Sequence, residues 1–289
     1  MFGKKKESHY KFINLPQKVL VGAGVIDRVS DVAGDYTSSL VVSGKNTIKV
    51  AGEKVFKKTG GEKIIIKKAN MESVSLVAKA AAKHDVIIAV GGGKVIDVSK
   101  LAAFKLDIDY ITVPTTCSND GIASAIASIK YKGAKQSIIA KTPMAVVADT
   151  EVIIKSPYKF LAAGLGDIIA KYTAVRDWKL GKVIRGEYYG DYASELSSLV
   201  AKMGLENAQE IRDRTEQGIN ILIEALISSG AAMGIAGSSR PASGSEHKFS
   251  HALDEIANTP SMHGYQVGVG TIAMSYLHGE DWKKIKNAL

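Results

Sequence analysis

Hydrophobic positions along the chain follow two regimes. Through the first half, short unbroken apolar runs alternate with stretches whose apolar residues recur every three to four positions. The runs are Val19-Leu20-Val21, Ser39-Leu40-Val41-Val42, Lys63-Ile64-Ile65-Ile66, Val86-Ile87-Ile88-Ala89-Val90, Tyr110-Ile111-Thr112-Val113 and Ala145-Val146-Val147-Ala148. β-Branched residues dominate them, and Gly, Pro or Asp ends several, which reads as strands buried on both faces. The periodic stretches over 25–29, 71–82 and 95–104 read as helices. Strands apolar throughout and separated by helices predict an α/β layer fold around a parallel sheet.

After Ser156-Pro157 the β-branched runs give way to Ala, Leu, Ile, Glu and Lys at helical spacing, over 160–180, 188–208, 216–232 and 247–257. The chain is therefore expected to divide into an α/β domain over 1–155 and an all-helical domain over 156–289. No internal repeat or low-complexity tail interrupts this order. No unbroken apolar run approaches the ~20 residues of a membrane span.

The chain's 289 residues are enough for two adjoining cores. A single cysteine, Cys117, excludes an internal disulfide framework and fits a reducing compartment. The basic N-terminus leads into no signal-type apolar segment, so a cytoplasmic location is expected. The net charge of +9 comes from lysines scattered singly and in pairs, with Lys4 to Lys6 the one longer run. With aromatics at 7% and no cationic stripe interleaved with them, nucleic-acid binding is not expected; anionic small molecules account for the charge better.

Candidate chemistry is concentrated at four places. The run Val90-Gly91-Gly92-Gly93-Lys94-Val95-Ile96-Asp97 joins a buried strand to a helix through three glycines. A helix N-terminus without Cβ atoms suits a pyrophosphate, although a tight turn made for packing alone would read the same. The next strand ends in Pro114-Thr115-Thr116-Cys117-Ser118-Asn119-Asp120-Gly121. Ligands of open α/β sheets sit beyond the carboxyl ends of the strands, so this loop and the triple glycine are expected to share one crevice. Cys117 lacks an assignable base and reads as a passive loop residue.

Asp167 follows Gly164-Leu165-Gly166 inside an Ala/Leu/Ile-rich stretch. It reads either as a buried carboxylate that needs a partner or as an N-terminal helix charge. Finally, half of the six histidines stand together: His247 and His251, four apart on one helix face, and His263 on a loop beyond Thr259-Pro260. Clustered imidazoles suit an open metal site. The spacing alone is equally that of two surface histidines and a loop histidine.

Taken together, these motifs resemble the sn-glycerol-1-phosphate dehydrogenases, the archaeal branch of the family that also holds glycerol dehydrogenases, iron-type alcohol dehydrogenases and dehydroquinate synthase. The resemblance covers nearly the whole chain. It is densest in Gly91 to Asp97, Pro114 to Gly121, Gly164 to Asp167 and Gly237-Ser238-Ser239-Arg240-Pro241-Ala242-Ser243-Gly244-Ser245-Glu246-His247. It implies a Rossmann-like N-terminal domain followed by a helical, dehydroquinate-synthase-like domain. It also implies a catalytic Zn2+ on Asp167, His247 and His263, with Asp120, Asp167 and His251 at the substrate. Gly93, Lys94, Val95, Ile96, Asp97, Thr115, Thr116, Cys117, Ser118 and Ser124 would bind NADPH or NADH.

The implied reaction is reduction of dihydroxyacetone phosphate to sn-glycerol 1-phosphate for archaeal membrane phospholipids, by a homo-oligomer. Arg240 and the hydroxyls of the 238–245 stretch are the candidate phosphate ligands. Ser43-Gly44-Lys45-Asn46 stands where an acidic residue would select NADH, so NADPH is expected to be used as well. Asp/His/His also accommodates iron or nickel. A non-phosphorylated polyol dehydrogenase and a dehydroquinate-synthase-type lyase are the alternative activities. Members of the branch continue some tens of residues past the position of Leu289.

Overall fold

The computed structural model describes residues 12–131 and 134–289; the cationic run Lys4 to Lys6 lies outside the described residues. Its strands are β1 Lys18–Gly22, β2 Ser39–Gly44, β3 Glu62–Ile66, β4 Val86–Gly91, β5 Asp109–Pro114, β6 Ile126–Tyr131, β7 Ala134–Ile139 and β8 Ala145–Asp149. Between and after them run α1 Val29–Ala33, α2 Glu53–Thr59, α3 Met71–Ala81, α4 Gly93–Leu106, α5 Thr150–Ile153, α6 Tyr158–Arg185, α7 Asp191–Glu206, α8 Ala208–Arg212, α9 Glu216–Ala236, α10 Ser245–Ile256, α11 His263–Leu277 and α12 Trp282–Ala288.

Six strands form one parallel sheet in the order β1-β8-β5-β4-β2-β3. Its central strand β4 is buried along its whole length. Alternation divides that strand: Ile87 and Ala89 join the core under α3 and α4, while Val86, Ile88 and Val90 face the core under α1 and α2. All six apolar runs of the first half are therefore strands of one sheet, and Rossmann-like layering follows from covering both faces with helices.

The hydrophobic pattern marks no element over 126–139, where β6 and β7 pair antiparallel as a separate hairpin. Lysines and serines break up its short alternation.

From Tyr158 onward every regular element among the described residues is a helix. Side-chain caps fix several starts: Asn70 accepts the Ser73 N–H before α3, and Thr215 accepts the Gly218 N–H before α9. By length and mean hydropathy (1.7), α9 matches a membrane span, although polar residues interrupt its apolar run. In this fold it packs on α6, α7 and α8 and buries Ile219, Leu222, Ile223, Leu226 and Met233.

Candidate active site at the sheet edge and the α6–α10–α11 junction

Parallel register brings the carboxyl ends of β2, β4 and β5 into line, with Ser43 opposite Val90 and Gly91 opposite Pro114. None of Gly91, Gly92 and Gly93 has positive φ, so at Gly91 and Gly92 space rather than conformation demands glycine. A Cβ on Gly91 would lie 2.7 Å from the Val95 side chain, and one on Gly92 would lie 2.9 Å from Thr116 Oγ1. The turn is thus closed tightly against the following loop, and Thr115 N–H donates to the Gly91 carbonyl at 3.1 Å.

Val95 and Ile96 bury their side chains, and their amides already bond the Gly92 carbonyl. Gly93 and the exposed Lys94 form the open first turn of α4, and Asp97 follows one turn on, 3.8 Å from the buried Lys100 ammonium. Thr116 and Ser118 are half-buried. Cys117 is fully buried, and burial pushes its thiol well up, as a passive residue requires. Thr115 Oγ1 and Ser124 Oγ are buried without a hydrogen-bond partner among the described residues.

The same loop carries the sheet edge into the helical half. Asp120 donates its backbone N–H to Asp167 Oδ2 at 3.0 Å, and its own Oδ2 accepts from Ser229 Oγ on α9 at 2.8 Å. Lys171, without exposed surface, reaches Asp120 Oδ2 at 2.9 Å and Asp167 Oδ2 at 3.2 Å. Burial works against the charge on Asp120, but the Lys171 ammonium and the Ser229 hydroxyl outweigh it and hold that carboxyl below its usual range. Asp167, 1% exposed, is pushed up, first by burial and then by the neighbouring Asp120 charge.

Asp167 lies in the third turn of α6, not at its start. That settles the alternative left open by Gly164 and Gly166, because both glycines are points of close approach. A Cβ on Gly164 would collide with the Cys117 carbonyl, and one on Gly166 with the Gly264 carbonyl. Gly264 is the second residue of α11, so His263 is a helix residue rather than a loop residue, set against α6 by backbone contact.

His247, in the first turn of α10, meets it there. Both imidazole Nε2 atoms stand 3.9 Å from Asp167 Oδ1, and the donor atoms of Asp167, His247 and His263 all lie within 4.8 Å of one another. Donors at ordinary Zn–N and Zn–O lengths are roughly 3.3 Å apart, so the three are within about 1.5 Å of a coordination sphere. His251 lies one turn along α10 and is exposed.

Three groups at this site escaped the sequence reading. Lys171, four residues after Asp167, carries an i,i+4 signal that the spacing offered. Glu246 and the pair Ser250–Gln266 contact the far nitrogens of the histidines and carry no local signal. Arg240 is a correction: its guanidinium bonds Glu187 Oε2 at 2.6 Å and lies against Gly181. Gly181 is almost four helical turns beyond Asp167, about 20 Å along α6. A three-carbon phosphate at the histidines cannot reach it.

The apolar hollow lined by Ile272, Ala273, Tyr276, Leu277 and Trp282 has no polar lining, so the chemistry points to the carboxylate–imidazole cluster instead.

The chain as a whole is similar to known proteins. A family profile described as iron-containing alcohol dehydrogenase matches residues 20–157. Glycerol-1-phosphate dehydrogenase (NAD(P)+) of Thermococcus sibiricus is 49% identical, covering 96% of this chain and 82% of its own length. The enzyme of the same name from Methanosarcina acetivorans is 47% identical, covering 96% of this chain and 81% of its own. In structure, glycerol dehydrogenase from Schizosaccharomyces pombe superposes with a TM-score of 0.83 at 22% identity, over 99% of this chain and 77% of that one, which shows a shared fold. The chain belongs to the glycerol-1-phosphate dehydrogenase family of oxidoreductases.

Proposed function

We propose that the protein reduces dihydroxyacetone phosphate to sn-glycerol 1-phosphate with NADPH or NADH, using a zinc ion held by Asp167, His247 and His263. In this reading it is a cytoplasmic homo-oligomer supplying membrane phospholipid synthesis. The observation that carries it is the buried Asp/His/His cluster joined through Asp120 to the loop at the carboxyl edge of the sheet. Residues 1–155 then form the nucleotide-binding half and 156–289 the metal- and substrate-binding half.

The residues fit both groups. Two imidazoles and one carboxylate converge from different helices, a donor set for an open, catalytic zinc. The buried, unpartnered hydroxyls of Thr115 and Ser124 are polar atoms that the protein leaves for a ligand. When bound, the metal supplies Lewis acidity to the ketone oxygen, and the nicotinamide supplies hydride.

The chain's own residues divide the remaining work. Asp120 N–H and Lys171 occupy Asp167 Oδ2, which leaves Oδ1 toward the histidines. The tight glycine turn and Gly93 to Asp97 present a helix N-terminus to the pyrophosphate. His251, on the same helix face as His247 but exposed, delivers the proton to the developing alkoxide.

The deciding assay follows oxidation of NADPH with dihydroxyacetone phosphate, with and without a chelator, and tests the product's handedness with an enantiomer-specific enzyme. Activity lost with chelator and restored by zinc, giving the sn-1 product, is expected. Faster turnover of glycerol or unphosphorylated dihydroxyacetone, or no net change in the nicotinamide, would overturn the reading.

The 2′-phosphate of NADPH is assigned to the exposed Lys45, which follows β2 beside the glycine turn. A hydrogen bond to a charged group contributes about 1.5–3 kcal/mol, so Lys45→Glu should weaken NADPH binding roughly tenfold to a hundredfold while NADH changes little. Equal losses for both nucleotides, measured by fluorescence titration, would remove Lys45 from this role.

A further inference from the structure

His247 and His263 present the same face to Asp167 but are held from behind by different groups. Glu246 has no exposed surface, and its Oε1 lies 2.8 Å from His247 Nδ1. The same oxygen accepts the Gly244 N–H at 2.6 Å, and Oε2 accepts from Thr173 Oγ1 of α6 at 2.7 Å. Both carboxyl oxygens of Glu246 therefore accept hydrogen bonds from the protein.

A carboxylate only accepts, so Nδ1 of His247 must carry the proton. In the neutral imidazole that tautomer leaves the Nε2 lone pair for a metal, 3.9 Å from Asp167 Oδ1. Behind His263 stands Ser250 Oγ, 3.2 Å from Nδ1, which donates its single proton to Gln266 Oε1 at 2.8 Å. A hydroxyl whose proton is engaged can only accept, so His263 takes the same tautomer from a neutral partner over a longer contact.

We infer that Glu246 is a positioning residue for His247. It fixes the tautomer and ring orientation that direct Nε2 to the metal, and its charge makes that nitrogen the stronger donor. Its position in the first turn of α10, bonded to Thr173 on α6, ties the metal ligand to the helix that carries Asp167. His247 is therefore the anchoring imidazole and His263, backed by a hydroxyl, the more yielding one.

The inference rests on the metal reading above, and the experiment separates the two. Zinc affinity of the full chain is measured by competition with a chromophoric chelator for Glu246→Ala, Glu246→Gln, Ser250→Ala and His247→Ala, with thermal unfolding of each metal-free protein alongside. Glu246→Ala should lose tenfold to a hundredfold in zinc affinity. Glu246→Gln, which keeps an acceptor oxygen without the charge, should recover part of that loss, and Ser250→Ala should lose less than Glu246→Ala.

Two results would overturn the assignment. One is wild-type zinc affinity in both Glu246 variants, including the case where only the melting temperature falls, which marks a merely structural carboxylate. The other is a Ser250→Ala loss at least as large as that of Glu246→Ala. If His247→Ala also keeps full zinc affinity, the metal reading itself fails.

Discussion

Replacing His247 by alanine is expected to cost the protein its metal together with its activity, whereas replacing His251 leaves the metal bound and removes most of the turnover. The two residues share a helix face but not an environment. His247 is nearly buried, backed by Glu246, and points Nε2 toward Asp167 Oδ1. His251 is exposed a turn further on. Losing a Lewis acid worth several kcal/mol lowers kcat/KM by roughly a thousandfold or more. Losing a positioned general acid costs about 10²–10⁴ in kcat with little change in metal content. Elemental analysis of the two purified variants, read beside their steady-state rates, checks both halves. Equal zinc content in both, or normal turnover in His251→Ala, would sink the division of roles.

Lys171→Met should destabilise the metal-free protein by about 3–5 kcal/mol, the usual consequence of leaving buried charge without its counter-ion. Lys171 is fully buried and neutralises two carboxylates, Asp120 at 2.9 Å and Asp167 at 3.2 Å. With the ammonium gone, one carboxylate must take a proton or draw in water. A bound dication restores much of the missing positive charge, so the zinc-loaded variant should lose less. The predicted drop in melting temperature is on the order of 10 °C without metal. Adding Asp120→Asn to Lys171→Met should recover part of it, because one of the two unpaired charges is then gone. Calorimetry with and without zinc decides, and identical losses in the two states would contradict this account.

The strands were legible because parallel strands covered on both faces need unbroken apolar runs, and β2, β4, β5 and β8 have them. α11 was not legible. Its sequence His263-Gly264-Tyr265-Gln266-Val267-Gly268-Val269-Gly270 places three glycines in two turns, and each costs about 1 kcal/mol of helix propensity. Tertiary contact overrides that cost: Gly264 lies against the Ala163 carbonyl, Gly268 against Gly166, and Gly270 against the Glu246 carbonyl. What reads as a breaker along the chain is an allowance for close packing across it. The β6–β7 hairpin escaped for a related reason, since half of its short alternating strands is polar.

Sequence by itself determined the sheet, the glycine turn after β4, and the residue types capable of holding a metal, because each depends on local pattern or chemistry. Tertiary structure alone decided that Asp167, in the third turn of α6, meets His247 and His263 from two other helices. It likewise decided that Arg240 belongs to Glu187, almost four turns from the cluster, and that Glu246, Ser250 and Lys171 stand behind the two histidines and Asp167. The physical reason is that coordination and ion pairing depend on distances of a few ångströms between helices, and those distances are set by where glycine lets two backbones touch.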